Sequence, residues 1–189
     1  MHDDIVAGRH PNNETEPTAR RFAEDVRNDL IRAGADGAHL GLDGVFSATR
    51  MFAGLRFVAV LAPIPDGLTT STAIVDWARQ LNGAAFERIQ RLPTNAGWMG
   101  FVRLRGIYAT LSLISARSLD EDVVRELRRV RKGRSEMPFV TISQAALLTW
   151  VVDLERRRLR LNKMPPLTTN RYPKRAISRR LSALQPSRP

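Results

Sequence analysis

His2, His10 and His39 are the only imidazoles in the 189 residues, and there is no cysteine. A zinc site or an imidazole proton shuttle needs several such side chains to converge. Two of the three histidines fall in the polar stretch MHDDIVAGRHPNNETEP, and His39, at the start of an expected strand, reads as a surface residue. Without thiols, disulfides, cysteine zinc sites and thiol catalysis are excluded. The glycine patterns that cradle phosphates or raise a nucleophilic serine, GxxxxGK[ST], GxGxxG and GxSxG, are missing. Asp120, Glu121 and Asp122 form a carboxylate run at a helix start, where they complement the positive end of the helix dipole. Their spacing does not suit paired acid/base work. Trp77, Trp98 and Trp150 lie in apolar runs and read as core or interface anchors rather than base-stacking platforms. The expectation is a protein with no catalytic residue, no metal and no cofactor, and therefore not an enzyme.

Cationic side chains dominate what remains. Lys+Arg total 30 against Asp+Glu 19, a net charge of +11. No acid follows Glu155, whereas Arg156, Arg157, Arg158, Arg160, Lys163, Arg171, Lys174, Arg175, Arg179, Arg180 and Arg188 do, so residues 1–155 are electrically neutral. Such asymmetry implies an anionic partner: nucleic acid, an acidic protein or a membrane surface. Arg156 to Arg180 of this set are the expected contacts. Tyr172 is the only aromatic residue in the region, so a nucleic acid would be held by its phosphates and not read by its bases.

These residues must be positioned by a hydrophobic framework, and 43% of the chain is apolar. The longest apolar runs, Phe57–Ile64 and Ala145–Val152, are far shorter than the roughly 18 to 20 residues of a membrane helix. The N-terminus has no basic region followed by an apolar run, so a cytoplasmic protein is expected.

Phe22, Val26, Leu30 and Ala33 recur at helical spacing between Thr18, a candidate N-cap, and Gly34. Three meandering antiparallel strands are expected near 38–42, 45–52 and 55–62, with Asp43-Gly44 and Ala53-Gly54 as hairpin turns. Ile74, Ala78, Leu81, Ala85 and Ile89 mark a helix near 70–90. A further hairpin is expected from WMGFVRLR and IYATLSLISAR, turning at Arg105-Gly106. Ser118 and Glu121 form a capping box for a helix that Gly133 closes. In the segment FVTISQAALLTWVVDLERRRLRL, Phe139 to Ile142 favour a short strand. Leu147, Val151, Leu154 and Leu161 lie near one helical stripe and predict a helix over about 142–160. Pro165, Pro166, Pro173, Pro186 and Pro189 predict an irregular arm from 161 to 189, after a loose N-terminus over 1–17 and a single domain over 18–160. The arm is expected to contribute little burial and to be separable from the domain.

The resulting fold is α+β, in the order α-β-β-β-α-β-β-α, an antiparallel sheet with helices plus an extra C-terminal helix and the basic arm. This order resembles the small fold of type III secretion chaperones and YbjN-like proteins over about residues 18–132. LRFVAVLAPIP followed by WARQLNGAAFERIQ, with Leu81 and Asn82, is similar to a strand and a Leu-Asn-bearing helix of that superfamily. IYATLSLISARSLDEDVVRELRRV is similar to its last strand, connector and final helix. The resemblance implies non-catalytic binding by a homodimer that holds an extended segment of a partner protein. The apolar side chains Leu147, Trp150, Val151 and Leu154 are the expected protein interface. The expected function is a chaperone- or adaptor-like protein-binding module with a basic arm for an anionic partner. The alternative is a nucleic-acid-associated protein whose arm binds the phosphate backbone.

Overall fold

The computed structural model describes residues 18–52, 55–93, 97–99, 102–136, 141–162 and 171–184. Four helices, α1 (Ala19–Arg32), α2 (Ser71–Gln90), α3 (Glu121–Arg129) and α4 (Arg171–Ala183), flank one sheet. Its strands are β1 (Asp36–Ala38), β2 (Phe46–Phe52), β3 (Leu55–Pro63), β4 (Gly97–Met99), β5 (Val102–Ser115), β6 (Arg131–Glu136), β7 (Thr141–Asp153) and β8 (Arg158–Arg160). Six strands lie in the order β1-β2-β3-β5-β7-β6, while β4 pairs with β5 and β8 with β7.

The fold is α+β, but the sheet is mixed and not purely antiparallel. β3 pairs with β5, and β5 with β7, in parallel, with Val60 opposite Leu111 and Leu111 opposite Thr149. Strands at the centre of a sheet covered on both faces carry apolar residues at successive positions. In β3 Val58, Val60 and Ala62 join one core, while Ala59 and Leu61 join the other. The first core is closed by α2, through Ile74, Ala78, Ala85 and Ile89, and by α3, through Val123, Val124 and Leu127. The second is closed by α1, through Phe22, Val26 and Leu30, and by α4, through Ala176, Ile177 and Leu181. The molecule is thus three layers, with helix pairs on opposite faces of the sheet.

The helix expected over 142–160 is a strand, a turn and a second strand. An apolar run such as AALLTWVV fits a doubly buried strand as well as a buried helix, and here the long pairing with β5 decides. The four side chains expected at a protein interface are consequently interior. Leu147 and Val151 face the α2/α3 core, whereas Trp150 and Leu154 belong to the α1/α4 core. Their exposures are 0%, 1%, 1% and 6% in the order Leu147, Trp150, Val151, Leu154.

The turn expected at Arg105-Gly106 is absent, because β5 continues through Gly106, which pairs with both Leu55 and Gln144. The short hairpin is instead β4 with β5. The Asp43-Gly44 turn forms, with the Val45 N–H donating to the Leu42 carbonyl at 3.3 Å. Only Gly44 takes positive φ there, at 69°, so the turn sits within a longer connection and β1 falls at 36–38. Positions 53–54, expected as the next turn, lie outside the described residues, as do 1–17.

Thr18 and Thr70 cap α1 and α2 by accepting the N–H groups of Arg21 and Ala73. The capping box at Ser118 does not form, since α3 starts at Glu121 behind an Asp120 cap that has no side-chain bond. The Ser118 N–H donates to Glu155 Oε2 at 2.6 Å, and this bond holds the Glu155 carboxyl below the usual carboxylate range. α3 also ends earlier than expected, at Arg129, because Arg131–Glu136 pairs antiparallel with β7. The arm expected to be irregular contains α4, which packs on α1 and touches β8.

Candidate anionic-partner face

Placing α1 and α4 on the same side of the sheet segregates charge. The two helices contain nine basic and three acidic residues, whereas α2 and α3 contain five of each. α4 itself has Arg171, Lys174, Arg175, Arg179 and Arg180 and no acid. Its apolar positions Ala176, Ile177 and Leu181 face the core, and Lys174, Arg175 and Arg179 are exposed. This is the pattern of an amphipathic helix lying on a core with its cationic side outward.

The expected contacts divide into anchored and outward-facing groups. Arg180 donates from Nε to Asp29 Oδ2 at 2.6 Å and from Nη2 to Oδ1 at 2.7 Å, a bidentate bridge between α4 and α1. It also reaches Asp25 at 3.5 Å. Arg179 meets Asp29 at 3.1 Å, although its own side chain is 70% exposed. Asp29 is 4% exposed. The Arg180 hydrogen bonds, with help from Arg179, outweigh desolvation and pull the Asp29 pKa from 3.8 to about 2.

Arg156 and Arg160 clamp the segment after β7 onto the loop before α3 and onto α3 itself. Arg156 Nη1 donates to the Leu119 carbonyl at 3.2 Å, and Arg160 Nη2 to Glu121 Oε1 at 2.7 Å. Asn162 Nδ2 donates to the Arg128 carbonyl at 2.8 Å, at the other end of that helix. The β7–β8 turn is tight. The Arg156 N–H donates to Asp153 Oδ1 at 2.8 Å and the Arg157 N–H to the Leu154 carbonyl at 3.2 Å. Arg157, with φ of 52°, is the only non-glycine residue at positive φ among the described residues. Arg156, Arg157 and Arg158 are all exposed at this turn. Arg171 begins α4, and Lys163 lies outside the described residues.

The two carboxylates buried among the described residues, Asp29 and Asp153, both hold backbone or helix in place. Sequence reasoning missed Asp29, yet the signal existed: it sits beside Val26 and Leu30 on the apolar side of an amphipathic helix. A carboxylate there requires a cation. Asp120, Glu121 and Asp122 line a groove of about 690 Å³ between the N-terminal ends of α2 and α3, with Asp76 and Arg79 across it. Tyr108 is buried on the α1/α4 side of β5 and stacks on Phe57 with ring centroids 5.8 Å apart. Burial pushes its pKa up to about 12. Among the described residues no three His, Cys, Asp or Glu side chains gather as a metal site, and no helix is long and apolar enough to cross a membrane. Compared with protein-family models, curated proteins and solved structures, the chain has no match.

Proposed function

We propose that the chain is a non-enzymatic, adaptor- or chaperone-like protein-binding module that takes an acidic partner on its α1/α4 side. The observation that carries the reading is the exposed set Lys174, Arg175 and Arg179 on a helix with no acid. Arg175 and Arg179, four apart, share one side of the helix, and Lys174 lies about 100° round the axis from Arg175, so the cations cover a broad outward arc. Arg180 and its two aspartates fix the helix that presents them. A binding role also suits the buried acids, whose oxygens are committed to structural bonds. The element order from α1 to α3 agrees with the chaperone-like arrangement, while the parallel pairings and the β6-β7-β8-α4 extension depart from it. Leu147, Trp150, Val151 and Leu154 have no part in this surface, being core.

The test is a salt titration of the full chain against polyglutamate and against random duplex DNA, followed by fluorescence anisotropy. Polyglutamate should bind more tightly at low salt, weaken as salt screens exposed charges, and lose at least about tenfold in affinity with the double substitution Lys174→Glu, Arg175→Glu. Tighter binding of DNA, with a steep salt slope, would move the assignment to a phosphate-backbone partner. Polyglutamate affinity unchanged by the double substitution would remove α4 from the surface.

A further inference from the structure

The sheet ends on opposite sides in different ways. β1 is only three residues long, while β6 runs for six, Arg131–Glu136, and is hydrogen-bonded to β7 alone among the described residues. Its outer edge is therefore a row of backbone donors and acceptors long enough to template another strand. We propose that this edge is a second binding site of the module, and that it adds an extended, acidic segment of a partner protein as the next strand of the sheet.

Charge selects the occupant. β6 reads Arg-Lys-Gly-Arg-Ser-Glu, three cations to one acid, and follows directly on Arg128 and Arg129 at the end of α3. Each copy of β6 carries three cations and one acid, a net +2, which opposes the approach of a second copy, even though a fully overlapping antiparallel register would set Arg131 against Glu136. The edge thus disfavours self-association, and the same cations favour a strand bearing Glu or Asp. A hollow of about 260 Å³ opens beside the start of β6, lined by Arg79, Glu126, Arg129, Val130 and Arg131. Of its three arginines, Arg79 and Arg129 pair with Asp76 and Glu126 and Arg131 is exposed, while Val130 supplies an apolar contact. Main-chain bonds along β6 would supply affinity, and this hollow would take one acidic side chain of the added strand.

The inference rests on the reading of the chain as a protein-binding module but uses a different surface, so the two can fail separately. The probe is a short peptide alternating glutamate with valine, titrated into the full chain. Two further versions carry N-methyl groups on alternate amides, in opposite phase. A strand adds through one of its two backbone edges, so one phase should bind like the parent and the other should lose binding. The protein substitution Arg131→Glu should weaken the parent peptide about tenfold, and should do so equally in the native chain and in a chain that also carries Lys174→Glu and Arg175→Glu. Equal binding of both methylated phases would overturn strand addition without any change to the protein, as would failure of the parent peptide to bind. Sensitivity to the α4 substitutions but not to Arg131→Glu would also overturn it, and would leave the α4 surface standing.

Discussion

Asp29 lies on the apolar side of α1, with a bidentate arginine from a helix 151 positions later in the chain. Its pKa is about 2 in the folded chain against an ordinary 3.8, so the folded state binds this proton less tightly than the unfolded state. The corresponding stabilisation, about 2 kcal/mol, is in place above the unfolded pKa and is lost as pH falls from 3.8 through about 2. Asp29→Asn removes the charge and leaves Arg180, itself only 29% exposed, without its strongest acceptor. We expect urea denaturation at neutral pH to show a loss of about 2–3 kcal/mol. The difference between the native chain and the variant should narrow as pH drops through that window. A difference that stays constant down to pH 2 would mean that the carboxylate's charge is not what ties α4 to α1.

At the scale of elements, α1 and α2 were legible from their helical periodicity, and the β2–β3 pair from two short apolar-rich runs set off by Asp43-Gly44 and Ala53-Gly54. α1 ends at Arg32, just before the positive-φ Gly34, and α2 follows its Thr70 cap. In the second half α3 and the strand IYATLSLISAR were legible, whereas β6, β7, β8 and α4 were not, for two physical reasons. A strand buried on both faces loses the alternation that identifies strands, so β7 looked like a helix. The cations of α4 and its Pro173 suggested an arm, yet proline is tolerated in the first turn of a helix, and Ile177 and Leu181 gave that helix a face to bury. Of the candidate contacts, the charge step at Arg156 was visible. Which arginines are anchored was not, because Asp29, Glu121 and the Leu119 carbonyl are remote in sequence. The packing of α4 carries a prediction opposite to the one expected of a separable arm. Ile177 is fully buried, in the core that includes Trp150 and Leu30. Ile177→Ala should cost about 2–5 kcal/mol, and removal of residues 163–189 should lower the thermal midpoint clearly. A truncated chain melting with the native midpoint would show that α4 does not belong to the cooperative core.

At the scale of the whole molecule, the question is whether such a chain associates with itself. A dimer interface needs a sizeable apolar patch at its centre. Among the residues whose side chains are described, Met51, at 36%, is the only large hydrophobic one exposed to that extent. The four side chains that looked like an apolar interface in the sequence are interior, divided between the two cores. The sheet edges give little help: β1 is three residues long, and β6 carries a net charge of +2 toward its own copy. Net charge works in the same direction, since +11 on 189 residues gives long-range repulsion between copies at low ionic strength. These terms predict a monomer in sedimentation velocity at micromolar concentration. Salt separates their contributions, because screening removes the long-range repulsion but cannot create an apolar patch. The sedimentation coefficient should therefore stay monomeric as salt is raised. A dimer at low salt would contradict both arguments. A dimer that forms only at high salt would show that charge alone had been holding the copies apart, with β6 the first edge to examine by amide exchange.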